Sequence, residues 1–164
     1  MLKQSFPPII SQNANILILG SLPGDLSIAK NEYYAHPQNR FWKVLFALFE
    51  KPYSTDYSEK VQLLHDQKIA LWDVCASAHR PGSMDIDITN VIPNDINYLL
   101  RQNTTIKTII FNGQKAQKLF DKHFSKQQNI KYITLPSTSP ANAQFSIDKL
   151  LVHWRIIHHP IVEK

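Results

Sequence analysis

The chain holds a single cysteine, Cys75, which rules out an internal disulfide and any cysteine-rich zinc site. It has only four glycines, and neither G-x-x-x-x-G-K-[ST] nor G-x-G-x-x-G occurs, so the usual triphosphate and dinucleotide cradles are missing. The strained G-x-S-x-G turn that presents a serine nucleophile is absent too, because leucine stands third in "GSLPG" at 20–24. No H-E-x-x-H and no paired His/Cys cluster is present, so no metal site is expected. The adjacent His158 and His159 would point about 100° apart on a helix, a poor chelating arrangement. No apolar run approaches the roughly 18 residues that a membrane-spanning helix needs. No signal-peptide pattern opens the chain. The expectation is a soluble, cytoplasmic protein with no cofactor and no membrane association.

What is present is ordinary for a globular protein: 43% apolar residues, 19% charged, in 164 residues. That length fits one domain over 1–164 and buries a real core. Lys and Arg outnumber Asp and Glu by 18 to 13, a net charge of +5 that permits an acidic partner such as nucleic acid. Short apolar runs at 16–19, 69–74, 106–111 and 130–135 are near-continuous, as in strands buried on both faces. Between and after them, 39–50, 58–67, 94–102, 113–124 and 146–158 read as amphipathic helices, with Asn94, Gly113 and Ser146 as N-cap candidates. Strands alternating with helices predict a three-layer α/β/α fold around a four-stranded, mostly parallel sheet.

In such a sheet ligands bind outside the carboxyl ends of the strands. The loops starting at Gly20, Cys75, Asn112 and Pro136 should converge there, and they hold the polar, Pro- and Gly-containing stretches of the chain. Ser21, Tyr33, Tyr34, His36, Asn39, Asn112, Ser137, Thr138, Ser139 and Asn142 make an amide-, hydroxyl- and aromatic-rich crevice. Flat aromatic faces beside amide edges suit a planar, hydrogen-bonding heterocycle. Serine hydroxyls and backbone amides of the 136–144 loop, with Lys115, suit phosphates.

"GSLPG…YYAHPQNRFW" resembles the first motif of the uracil-DNA glycosylase superfamily, and most of all its hypoxanthine-DNA glycosylase family. "LWDVCAS" at 71–77, "FNG" at 111–113 and "LPSTSPANAQF" at 135–145 match further segments in order. The resemblance implies a metal-free, monofunctional hydrolysis of the N-glycosidic bond to a deaminated base, most of all hypoxanthine, in DNA. By position it implies Asn39 as the catalytic residue and Tyr34 as the aromatic that stacks on the flipped base. Asn112 becomes the amide read against the base edge. Gly20, Ser21, Leu22 and His36 complete the substrate set. Ser137, Thr138, Ser139, Pro140, Ala141 and Asn142 form the loop that presses into DNA. DNA carrying a deaminated or mispaired base is the implied partner; the expected state is a monomer without an obligate protein partner.

Two departures matter. Leu22 stands where the mismatch-specific uracil enzymes carry a water-positioning asparagine, which moves the expectation away from uracil. Ala141 stands where the thymine enzymes place a long wedge. A mismatch-type uracil or thymine glycosylase, or a non-catalytic DNA- or nucleotide-binding module, remain the alternatives. Each residue also has a plainer reading. Tyr33 and Tyr34 would cover the core, Asn39 would cap a helix, and Ser137, Thr138 and Ser139 would build a turn around Pro140. His36 would fix its loop by a backbone hydrogen bond, Asp73 would orient a loop as an acceptor, and His79 and Arg80 would either touch DNA or stand in solvent.

Overall fold

The computed structural model describes residues 2–82 and 84–158; His159 therefore lies outside the described residues. The four apolar runs form the strands of one parallel sheet. In chain order the elements are β1 (Leu2–Gln4), β2 (Ile16–Gly20), α1 (Asp25–Lys30), α2 (Phe41–Leu48), α3 (Tyr57–Asp66), β3 (Ile69–Asp73), β4 (Cys75–His79), β5 (Thr89–Pro93), α4 (Ile96–Gln102), β6 (Thr108–Asn112), α5 (Gln114–His123), β7 (Lys131–Leu135) and α6 (Ile147–Trp154). The central sheet runs β3-β2-β6-β7, with every neighbouring pair parallel.

Side-chain alternation along the central strands separates two cores. Leu17, Leu19, Ile109 and Phe111 face α4 and α5, together with Leu99, Leu100, Leu119 and Phe120. Ile16, Ile18 and Ile110 face α2, α3 and α6, together with Phe41, Leu45, Leu64 and Trp154. Both faces are covered, as the apolar runs require. From β2 the chain moves outward to β3 on one side, and later returns to β6 on the other. The carboxyl ends of β2 and β6, Gly20 and Asn112, therefore flank the point where the strand order reverses, the usual ligand crevice of an open α/β sheet.

Two features depart from expectation. The stretch after β3, expected to be a site loop, forms β4, the centre of a second, antiparallel sheet in the order β1-β4-β5. Helix α1 occupies part of what read as irregular loop between Gly20 and Asn39. Of the caps, Ser146 accepts from Lys149 N as expected, whereas α4 is capped by Asp95, which accepts from Tyr98 N. Asn94 instead donates its amide to the carbonyls of Asp73 and Cys75, tying the turn between the two sheets.

Candidate active site

Gly20 ends β2 as a glycine for a steric reason. A Cβ there would lie 2.6 Å from Asp73 Oδ1 and 2.7 Å from Tyr34 OH. Gly113, after β6, has φ +97°, and a Cβ would meet Ser137 Cβ at 3.0 Å. These two glycines let the loops after β2, β6 and β7 close on one another. Between them lies a pocket of about 860 Å³, within the range of small-molecule sites.

Every residue expected at the site lines this pocket except Lys115: Gly20, Ser21, Leu22, Tyr34, His36, Asn39, Asn112 and the loop residues Ser137, Thr138, Ser139, Pro140, Ala141 and Asn142 are all at its wall. Lys115 sits in the first turn of α5, where its charge favours the ionised form of Asp85.

One wall is a closed hydrogen-bond chain. Asn112 Nδ2 donates to Tyr34 OH at 3.1 Å and to Thr138 Oγ1 at 3.0 Å, and its Oδ1 accepts from Thr138 N at 3.0 Å. Thr138 Oγ1 in turn donates to Asn39 Oδ1 at 2.9 Å. Asn39 Oδ1 also accepts from Phe41 N at 2.9 Å. Asn39 thus caps the entry to α2 through its side chain, although Arg40 is the backbone N-cap. Since the Phe41 N–H can only donate, the atom facing it must be the amide oxygen. Asn39 Nδ2 is left without an acceptor among the described residues, as a donor at the pocket wall.

Tyr34 is held across from this amide in a left-handed backbone conformation, φ 54°, uncommon for a non-glycine residue. Its ring stacks on Phe41 at 4.2 Å between centroids. Burial raises its hydroxyl pKa, as do the charges of Asp73 and Asp85. Tyr33 beside it is a core residue that donates to Pro7 O. His36 is exposed, and its Nδ1 accepts from Gln38 N, so both of its expected roles are compatible.

The 136–145 loop is stapled from below by Arg40. Its guanidinium donates to the carbonyls of Thr138, Ser139, Asn142 and Phe145. Arg40 falls inside the 39–50 stretch that reads as a helix, and no local signal in the sequence distinguishes it. Ala141 is exposed at the loop, whereas Thr138 is fully buried. Thr138 therefore cannot meet DNA through its side chain, and its place is the link between Asn39 and Asn112. Leu22 is buried in the core beneath the pocket.

The part of the wall beside Gly20 is charged. Asp73 is 3% exposed, and its Oδ2 has no hydrogen-bond partner among the described residues. Desolvation pushes its pKa up to about 7, with Asp85 adding to the shift and Arg80 opposing it. The carboxyl orients no loop among the described residues, which corrects the expectation for Asp73; only its backbone carbonyl does that, through Asn94. Asp85, which sequence reasoning missed, accepts from Ser21 Oγ at 2.7 Å and lies 3.8 Å from Arg80 Nη1. Arg80 is neither solvated nor available to DNA. It is buried and donates to the carbonyls of Leu22, Pro23 and Gly82.

The description "Uracil DNA glycosylase superfamily" belongs to the family model that matches residues 7–155. A hypoxanthine DNA glycosylase of Methanosarcina barkeri is 43% identical over 117 residues, covering 71% of this chain and 74% of that protein. A hypoxanthine DNA glycosylase of Methanosarcina acetivorans is 37% identical over 147 residues, covering 89% and 92%. The solution NMR structure of a candidate uracil DNA glycosylase from Methanosarcina acetivorans superposes with a TM-score of 0.79 at 34% identity, covering 97% of this chain and all of that one.

Proposed function

We propose that this chain, which belongs to the uracil DNA glycosylase superfamily, is a DNA glycosylase that takes hypoxanthine out of DNA by hydrolysing its N-glycosidic bond. Cleaving that bond builds positive charge on the sugar and negative charge on the departing base. Donors already aimed at the base stabilise it most where water is excluded. The observation that carries the reading is the fixed amide of Asn39. With Oδ1 pinned from Phe41 N and Thr138 Oγ1, the Nδ2 donor stands ready at the pocket wall without reorganisation.

Tyr34 offers the flat surface on which a flipped base stacks. Asn112 has both amide hydrogens engaged, so in this arrangement it holds Tyr34 and Thr138 in place; reading the base edge directly would require it to exchange one of those bonds for the base. Among the described residues no lysine lines the pocket, and the attacking group is accordingly water rather than an amine. Extrusion costs a few kcal/mol, least for a mispaired base. The 136–145 loop, with Ser137, Ser139, Pro140, Ala141 and Asn142 at the pocket mouth, is the surface that meets the duplex. All of these groups come from one chain, in keeping with a monomer, and action in the cytoplasm is part of the proposal.

The test is single-turnover cleavage of duplex oligonucleotides carrying one hypoxanthine, uracil or thymine. Hypoxanthine should be released fastest, and uracil much more slowly, because the buried aliphatic side chain of Leu22 cannot position water. Equal rates on uracil and hypoxanthine would overturn the specificity. Binding without release of any base would leave the module reading instead.

A further inference from the structure

Within that reading, one group at the pocket is not accounted for by holding the protein together. Asp73 ends β3 at the pocket, 3% exposed, with a buried oxygen that no donor reaches among the described residues. A carboxyl placed there costs free energy unless something completes it. Among the described residues the neighbours do not, and the nearby Tyr34 hydroxyl accepts from Asn112 without bonding to the carboxyl. Asn112 has committed both amide hydrogens elsewhere, and Ser21 gives its hydroxyl to Asp85. Arg80 directs its donors to backbone carbonyls and lies near Asp85. Gly20 lets Asp73 Oδ1 and Tyr34 OH close in on the end of β2, where a Cβ would clash with both.

We propose that Asp73 reads the ring N–H that deamination creates. Adenine carries a bare N1 acceptor, and deamination to hypoxanthine turns that position into N1–H. An ionised carboxylate can only accept. It completes the N1–H of a flipped hypoxanthine and repels the N1 lone pair of adenine. The normal base is thereby rejected by the same atom that binds the damaged one. The same distinction separates uracil from cytosine at N3, so Asp73 rejects the two bases with a bare ring acceptor, adenine and cytosine; guanine and thymine already carry a ring N–H, and the rest of the pocket must exclude them. A site built to take an N–H rejects the analogue without it far more strongly than a change of apolar contact would.

The titratable and charged groups around Asp73 are Asp85, whose charge favours the protonated acid, Arg80, which favours the carboxylate, and Tyr34, Tyr33 and Cys75, whose pKa values the Asp73 charge raises. With its pKa held near 7, the discriminating carboxylate fades as pH falls through neutrality, and the protonated acid donates to N1 of adenine instead.

The experiment compares wild type with Asp73→Asn on duplexes carrying one hypoxanthine or, at the same position, adenine, between pH 5.5 and 8.5. Binding of free hypoxanthine and free adenine, followed by tryptophan fluorescence, repeats the comparison without catalysis. Wild-type hypoxanthine release should fall below pH 7. In Asp73→Asn that dependence should vanish, and the preference for hypoxanthine over adenine should shrink by about 10-fold or more, because a carboxamide can present either oxygen or NH2. An unchanged preference in Asp73→Asn overturns the proposal, including when the rate falls, which would place Asp73 on the water rather than the base. A wild-type protein that releases no hypoxanthine at any pH but still prefers it as a free base overturns the proposed activity and leaves the base reading standing. Melting temperatures at pH 8 check that the variant is folded.

Discussion

Along the wall built by β6 and the 136–145 loop, every side-chain hydrogen-bonding atom of Asn112 and Thr138 has a partner, whereas at the end of β3 Asp73 keeps a buried oxygen with none among the described residues. The first wall is neutral and pre-organised. The second carries Asp73 and Asp85 with raised pKa values against the buried Arg80. The difference separates two tasks. A satisfied amide network holds geometry, so that Asn39 Nδ2, which has no acceptor among the described residues, is presented at the pocket wall. An unsatisfied carboxylate destabilises the empty protein and is completed by a ligand of the right chemistry.

The sharpest way to break this contrast is at Asn39. Asn39→Ala should lower single-turnover cleavage by roughly 10²-fold or more, the scale of losing one transition-state donor. Asn39→Asp and Asn39→Ser retain an acceptor for Phe41 N but lose the amide donor. Both should be inactive while melting close to wild type. Normal cleavage by either would remove Asn39 from the catalytic set.

Next comes the stability of the charged wall. Asp73 has a folded pKa of about 7, above the roughly 3.9 of a free aspartate. The fold therefore holds the proton more tightly than the unfolded chain, and stability is lost as pH rises from about 4 to 7. Asp73→Asn removes that penalty. Denaturant titrations should show the variant more stable than wild type by on the order of 3 kcal/mol at pH 8, with the gap closing by pH 4. A gap independent of pH would show that the carboxylate is not held out of solvent.

Arg40→Ala should cost about 2 kcal/mol, because four loop carbonyls lose a charged donor together. It should weaken duplex binding in a gel-shift titration, since the 136–145 loop would no longer be stapled. Unchanged affinity in a folded variant would detach that loop from DNA. Tyr34→Phe keeps the stack on Phe41 and removes only the acceptor for Asn112, so about 1 kcal/mol and a few-fold in rate are expected. The smallest effect is on salt dependence: with a net charge of +5, log Kd against log salt should have a shallow slope. A flat response would argue against phosphate contacts.

The sequence by itself determined the central sheet and the pocket's place. Apolar runs such as 16–19 and 106–111 are local patterns, and being apolar on both faces they can only be buried on both faces. The residues after such strands must gather at their carboxyl ends, which is why nearly the whole expected set shares one pocket. The second sheet was not legible. Cys75–His79 is short, carries Ala and Ser, and becomes a strand because Leu2–Gln4, over 70 positions away, pairs with one edge and Thr89–Pro93 with the other. Tertiary structure alone decided the polar details. Asn39 reads as a helix cap in any local view, and it is one. What frees its Nδ2 is Thr138, 99 positions along the chain, which pins the other end of the amide. Thr138 reads as an exposed turn residue, and is buried because Arg40 draws its loop down. Asp73 reads as a strand-end acceptor, yet its buried oxygen is left without a donor among the described residues, since Ser21 gives its hydroxyl to Asp85 and Asn112 its amide to Tyr34 and Thr138. Hydrogen-bond satisfaction depends on which distant groups arrive and which have already been used, and no short stretch of sequence records that.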